Sequence, residues 1–262
     1  RDQLIKALSN EANINIHEED TGSVTVFLAN QVLVRGERSS SLVAEEDPLN
    51  RNYVNVVLQG NDVDRDITDK ITGGALGGAL SLRDTTLPGY QEELDTLAYT
   101  LAVEFNAQHQ AGYGLDGVNG RDFFAPPGSV SGAAARLQLS SDVAGNPDAI
   151  AASLTPGGIS GDNGNAILLY QLSEKKLVEG NATFAESAIA QASQVGNDAR
   201  FVNGEVSYQR QILGELEQIE QSVSGVSIDQ EATDLVKYQS AYQASARFVS
   251  TVREMLNTLM QL

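Results

Sequence analysis

The chain has 262 residues, of which 41% are hydrophobic and 20% charged, enough apolar material to build more than one core and too much for a disordered chain. A net charge of -18 repels nucleic-acid phosphates and anionic lipid heads, which excludes binding to either through bulk charge. Cysteine and tryptophan are absent, so disulfides and thiol chemistry are excluded, and no uninterrupted apolar run is long enough to span a bilayer. Lack of cysteine suits a cytosolic protein and equally one exported unfolded through a narrow channel.

Residues 1–8 read as the end of a helix already under way, and the first residue is Arg1, so the true amino terminus is expected further upstream. From Asn13 the apolar period becomes two: Ile14 and Ile16, then Val24, Val26 and Leu28, then Val32 and Val34. Asp20, Thr21 and Gly22 supply one turn, and Ala29 with Asn30 another. Strands at 42–44 and 53–58 complete one small antiparallel sheet that is expected to close near Ile67. His17, Glu18, Glu19 and Asp20 form an acidic cluster, and Asp62, Asp64 and Asp66 alternate as the oxygen donors of a calcium loop would. Counting from Asp62, however, the sixth and twelfth positions are Ile67 and Gly73, where an EF-hand needs glycine and glutamate. The segment reads as a solvated turn, and no metal is expected.

Gly73, Gly74, Gly77 and Gly78 open a new helical pattern. They lack the GxGxxG spacing and the following Lys-Ser/Thr of a phosphate loop, so close approach of another backbone is the expected reason for them. Leu76, Leu80, Leu87, Tyr90, Leu94, Leu97 and Leu101 then keep heptad phase as far as Phe105, with a kink or a stop and restart expected around Pro88. From Gly112 to Gly180 the chain is rich in Gly, Asn, Asp, Ser and Pro, with short apolar runs at 123–125, 137–139 and 166–172. Short strands and long loops are expected there. Asn181, Ala182 and Thr183 match a glycosylation sequon, a pattern common by chance.

Thr183 and Glu186 form a capping box, after which Ala192, Val195, Ala199, Val202, Val206, Gln209, Leu213 and Leu216 alternate by three and four up to Ser224. Gly225 ends this helix, and Ser227 with Gln230 caps the next. In that last helix Leu235, Tyr238, Tyr242, Ser245, Val249, Val252, Leu256 and Leu259 recur on one narrow seam, widened by Ala241, Phe248 and Met255. A helix of about 34 residues is roughly 50 Å long, longer than a compact domain of this size. It is expected to project and to meet another long helix. The segments are thus 1–72, 73–111 with a kink near 88, 112–181, 182–225 and 226–262.

No catalytic set emerges. His17 and His109 are the only imidazoles, and His109, between Asn106 and Gly112, suits capping or packing better than catalysis. No catalytic residue and no cofactor is expected.

The runs Gly73 through Asp84 (GGALGGALSLRD), Leu94 through Ala98 (LDTLA) and Phe105 through Tyr113 (FNAQHQAGY) resemble the flagellar hook-associated protein 1 family. The turn at 117–124, the GDNGN sequence at 161–165 and SVSGVSID at 222–229 are similar to that family in the same order. Tyr238-Gln239, Ala241 through Ala244 and residues 251–259 resemble the carboxyl-terminal motif common to rod, hook and hook-associated proteins. The resemblance implies an α+β fold, with long coiled-coil-like helices of a flagellar axial protein and small antiparallel β regions inserted. It implies a structural subunit at the junction of hook and filament, outside the cell, exported through the flagellar type III apparatus. Implied partners are further copies in a ring, hook protein, hook-associated protein 3 and an export chaperone, with neither nucleic acid nor membrane. Family members pair a long first helix with their last; that helix is missing, so the chain is expected to be a fragment or processed form. Other readings are a hook or hook-associated protein 3-like subunit, or a secreted adhesin or glycan-active protein carried on the β regions. The expected assembly and chaperone surface is Leu235, Tyr238, Tyr242, Phe248, Val249, Val252, Met255, Leu256 and Leu259.

Overall fold

The computed structural model describes every residue except 21, 49, 61–62, 158–159, 225–227 and 260–262. Thr21 in the first turn, Asp62 in the acidic loop, and the caps Gly225 and Ser227 lie outside the described residues, as do the side chains of Gln230 and Leu259. Arg1–Ala192 and Ser193–Leu262 form two compact units.

In the first unit α1 (Asp2–Glu11) leads into β1 (Ile14–Glu18), β2 (Val24–Leu28), β3 (Gln31–Arg35) and β4 (Arg38–Ser39), antiparallel neighbours in that order. Ala29 and Asn30 have φ of 52° and 59°, the left-handed pair of a two-residue hairpin turn whose twist matches its strands. They set Leu28 opposite Gln31. β5 (Leu42–Asp47), β6 (Tyr53–Leu58) and β7 (Arg65–Asp66) form a second antiparallel sheet, which corrects the expectation of a single one. The ladder changes partner at one peptide. Ser40 N–H still donates to the Leu33 carbonyl, whereas the Ser41 carbonyl accepts from Gln59 N–H. β4 is only two residues long, too short an edge to carry another strand.

Both sheets, the end of α1 and α2 (Gly74–Ser81) close on one core of Ala12, Leu28, Leu33, Leu58, Ile67, Ile71 and Leu80. Each large aliphatic side chain there contributes roughly 1.5–3 kcal/mol by leaving water. Gly74 has φ of 72°, and a β-carbon on it would lie 2.4 Å from Ala12 N and 2.5 Å from the Glu11 carbonyl carbon. Glycine lets the end of α1 cross the start of α2. The same fit holds Gly73 against Asn13, whose Oδ1 accepts from the Thr72 and Gly73 N–H groups. Gly77 is tight only against the turn before it, at Ile71 and Thr72, and Gly78 has nothing within 4 Å of a built β-carbon. Close approach of backbone therefore holds at Gly77, against the turn that precedes the helix, and is absent at Gly78.

After α2 the chain stays helical through a π-turn (Leu82–Thr86) into α3 (Leu87–Ala111). Pro88 has no N–H to give the Asp84 carbonyl, and its ring would crowd that oxygen in a regular helix. The turn widens instead: Leu87 N–H donates to Leu82 O, five residues back. The surplus residue rotates the following face by roughly 100°, so the heptad phase expected across Pro88 is lost. Leu80 is buried, but Leu87 and Leu94 are about half exposed. α3 buries Ala98, Ala102, Asn106 and His109 instead.

Between α3 and the last two helices lie α4 (Ala133–Arg136), α5 (Gly164–Gln171) and short bridges such as Phe124 with Leu139. The apolar run at 166–172 is thus mostly helix, not strand. Asp162 Oδ1 accepts from Gly164 N–H and Asn163 O from Ile167 N–H, which nucleates the first turn. α6 (Phe184–Ser224) starts on a reciprocal pair, Thr183 N–H to Glu186 Oε2 at 2.9 Å and Glu186 N–H to Thr183 Oγ1 at 3.1 Å. The second unit holds the rest of α6 and α7 (Ile228–Leu259).

Candidate assembly faces

Two kinds of feature are candidates, one polar and one apolar. Polar side chains of α3 and α5 pin the loops between them. The Asn106 amide donates to Phe124 O and accepts from Phe123 and Phe124 N–H. Asn165, fully buried, donates to Ala151 O and accepts from Gln108. His109 is fully buried, with Ala151 N–H donating to Nε2 at 2.9 Å and Nδ1 at 2.8 Å from Arg121 O. Since Nε2 must offer a lone pair to that amide, the ring is neutral and its proton sits on Nδ1. Both nitrogens of this ring are occupied by backbone, which leaves neither free for proton transfer. His17 is exposed on β1, opposite Thr25.

Asp162 is the strongest acceptor of this region. Its carboxyl is held well below the usual carboxylate range, first by the Ser153 hydroxyl, then by Gly164 N–H and by the Thr155 hydroxyl and N–H. A folded-state value below the unfolded value of about 3.9 stabilises the fold at neutral pH, and this is lost as pH falls through the unfolded value toward the folded one. Asp162→Asn is therefore expected to lower the melting temperature at neutral pH, with the gap to the parent shrinking below about pH 4. A gap of the same size at neutral and strongly acid pH would contradict the assignment. Asp66 is a similar anchor: it accepts from Thr68 N–H and hydroxyl and from Asn55. Asp64 accepts from Gly60 N–H. Among the described residues no cluster of three or more His, Asp or Glu could hold a metal.

The second kind of feature is apolar. No described residue of Ser193–Leu262 is buried. On α7 the side chains of Leu235, Tyr238, Tyr242, Phe248, Val249, Val252, Met255 and Leu256 are all exposed, from 38% at Val252 to 78% at Tyr242. α7 thus carries these eight together on one helix. Leu259 is on the same helix, its side chain outside the described residues. α6 carries two exposed rows. Val195, Val202, Val206, Leu213 and Leu216 form one, and Phe201, Tyr208, Ile212 and Ile219 form the other, a row one residue behind. The second row is absent from the sequence reading above, although its spacings of seven, four and seven are those of a heptad seam. Apolar faces of this extent on two long helices are candidate surfaces for binding other chains or segments. Among the described residues no helix is long and apolar enough to cross a membrane.

Residues 1–124 match the family described as "Flagellar hook-associated protein FlgK helical domain", and residues 221–262 match "Flagellar basal body rod FlgEFG protein C-terminal". Flagellar hook-associated protein 1 of Salmonella typhimurium is 24% identical to this chain in an alignment covering 100% of it. The Bacillus subtilis protein of the same name is 32% identical over 65% of the chain. The chain is a homologue of the flagellar hook-associated protein 1 family. This is a structural flagellar family, not an enzyme family. The chain spans 64% of the length of the Salmonella protein, and the Bacillus alignment covers 34% of its own. The solved structure of the flagellar hook junction protein FlgK from Burkholderia pseudomallei aligns with a TM-score of 0.44 at 32% identity, covering 48% of this chain and 24% of that one. In this hook-associated protein 1 homologue, the first family match contains both sheets and α3, and the second contains the whole of α7.

Proposed function

We propose that this hook-associated protein 1 homologue is a structural subunit at the junction between hook and filament, assembling outside the cell through the faces of α6 and α7. The observation that carries this reading is the eight exposed apolar residues of α7, inside the segment matched to the carboxyl-terminal part of flagellar rod proteins. Such a face is stable only when covered, and a ring of copies with long helices side by side would cover it. The two rows on α6 call for two neighbours, as a packed tube wall supplies. Its proposed neighbours are copies of itself, hook protein on one side and hook-associated protein 3 on the other. Before export a small helical chaperone would hold α7 in an apolar groove. The polar anchors and the glycines at 73 and 74 serve the folded unit rather than the contacts.

The direct test adds the purified chain to isolated hooks and looks by electron microscopy for a new layer at the distal end. Capping of hooks, followed by binding of hook-associated protein 3, is expected. Hooks that stay bare while a full-length family member caps them would overturn the reading for this chain.

A further inference from the structure

We infer that the π-turn Leu82–Thr86 is a hinge between the two-sheet half of the first unit and α3, and that Arg83 is the latch that sets its angle. Packing changes character at this turn. Before it, α2 is fixed in the common core through Leu80. After it, α3 contacts α4 and α5, buries Ala98 and Ala102, and is tied by Asn106 and His109 to the loops at Phe123, Phe124, Arg121 and Ala151. The turn itself has no such apolar seat, since Leu82 and Leu87 are each half exposed and Val54, on the facing strand, is 40% exposed. Clefts open on both sides of it. One of about 500 Å³ lies between Asn55, Asp66 and Thr68 and the helix at Ser81, Asp84 and Thr85. The other, of about 680 Å³, separates Arg51 in the β5–β6 turn from Pro88, Gln91 and Leu94.

Arg83 reaches from this turn to β6. Its Nη1 donates to Val54 O at 2.6 Å, and its guanidinium carbon lies 5.2 Å from the centre of the Tyr53 ring. Nε and Nη2 grip the two oxygens of Asp84 at 2.6 and 2.7 Å, which fixes the fork toward β6. A forked, planar cation of this kind holds a backbone oxygen, a ring and a carboxylate at once, which lysine cannot do. The turn supplies the freedom that the latch restrains: it lacks the regular i to i−4 ladder, and Pro88 prevents that ladder from closing at Asp84.

The test uses the absence of cysteine in the chain. Spin labels go on Asn15→Cys in β1, in the other sheet from the latch, and Ala107→Cys in α3, both exposed, and the distance between them is read by double electron–electron resonance. A single narrow distribution is expected for the parent. Arg83→Met should at least double its width with unchanged circular dichroism, and Arg83→Lys should recover little of the loss. Asp84→Asn, which frees the fork but keeps the bonds to Val54 and Tyr53, should broaden it by less. An unchanged distribution in both Arg83→Met and Asp84→Asn would overturn the assignment, as would full recovery by Arg83→Lys.

Discussion

Replacing His109 with alanine is expected to destabilise the first unit by about 3–5 kcal/mol. Three losses add up at this one position. Ala151 N–H, on a residue only 2% exposed, loses its acceptor, and the Arg121 carbonyl loses its donor. A buried polar group left without a partner costs about 1–3 kcal/mol. The ring also leaves a cavity beside Phe123, whose centroid is 5.4 Å from that of His109 and which packs in turn on Phe105 and Phe124. The aromatic cluster therefore loosens at the same time as the loop at 149–153 loses one of its anchors. Urea unfolding followed by tyrosine fluorescence would read the change. His109→Gln, with one donor end and one acceptor end, should restore part of it, whereas His109→Leu should refill the volume and restore little. A loss below about 1 kcal/mol in the alanine variant would mean that the two backbone groups find other partners.

That anchor shows where sequence reading stops. Turns and caps announce themselves locally: Ala29 with Asn30 sits at the expected hairpin, and Thr183 with Glu186 makes the expected reciprocal bonds. Both depend on residues within a few positions of each other. His109 could be placed near a helix end and assigned to packing, but its partners Arg121 and Ala151 lie 12 and 42 residues away, and no periodicity carries that information. The division into two sheets was hidden for the same reason, because period two in β3 and β5 says which residues face inward and nothing about which strand pairs with which. At Pro88 the residue signalled a disturbance but not its form. A kink, a stop and a widened turn all spare the missing N–H, and only the turn found here shifts the face of α3 away from its leucines. The faces of α6 and α7 were legible because a seam on a long helix is written in spacing alone, although one of the two rows on α6 was passed over. Which family uses such a face had to come from the residues of the resemblance.

The double substitution Val249→Asp with Val252→Asp is expected to abolish assembly while leaving the isolated chain folded. In the single chain both valines are already exposed, at 60% and 38%, so nothing buried is lost on replacing them. The folded helix suffers only from lower helix propensity, from two like charges three residues apart and from acid near a helix carboxyl end, each worth about 0.3–1 kcal/mol. Frayed helix content in α7 should therefore be the whole effect in dilute solution, and the melting transition of Arg1–Ala192 should not move. Assembly is another matter. Covering α7 would take both carboxylates out of water, at a cost of several kcal/mol for each one that meets no cation. Since every 1.4 kcal/mol is about tenfold in a binding constant, a contact repeated around a ring would be lost outright. A strain whose own gene carries the double change should lack filaments and fail to swim, with the subunit still made and exported. Ser250→Asp, one residue along and away from the seam, is the control and should leave motility intact. Normal filaments in the double variant would remove α7 from the assembly contact, and equal failure of Ser250→Asp would show that charge anywhere on the helix, rather than the seam, is what assembly rejects.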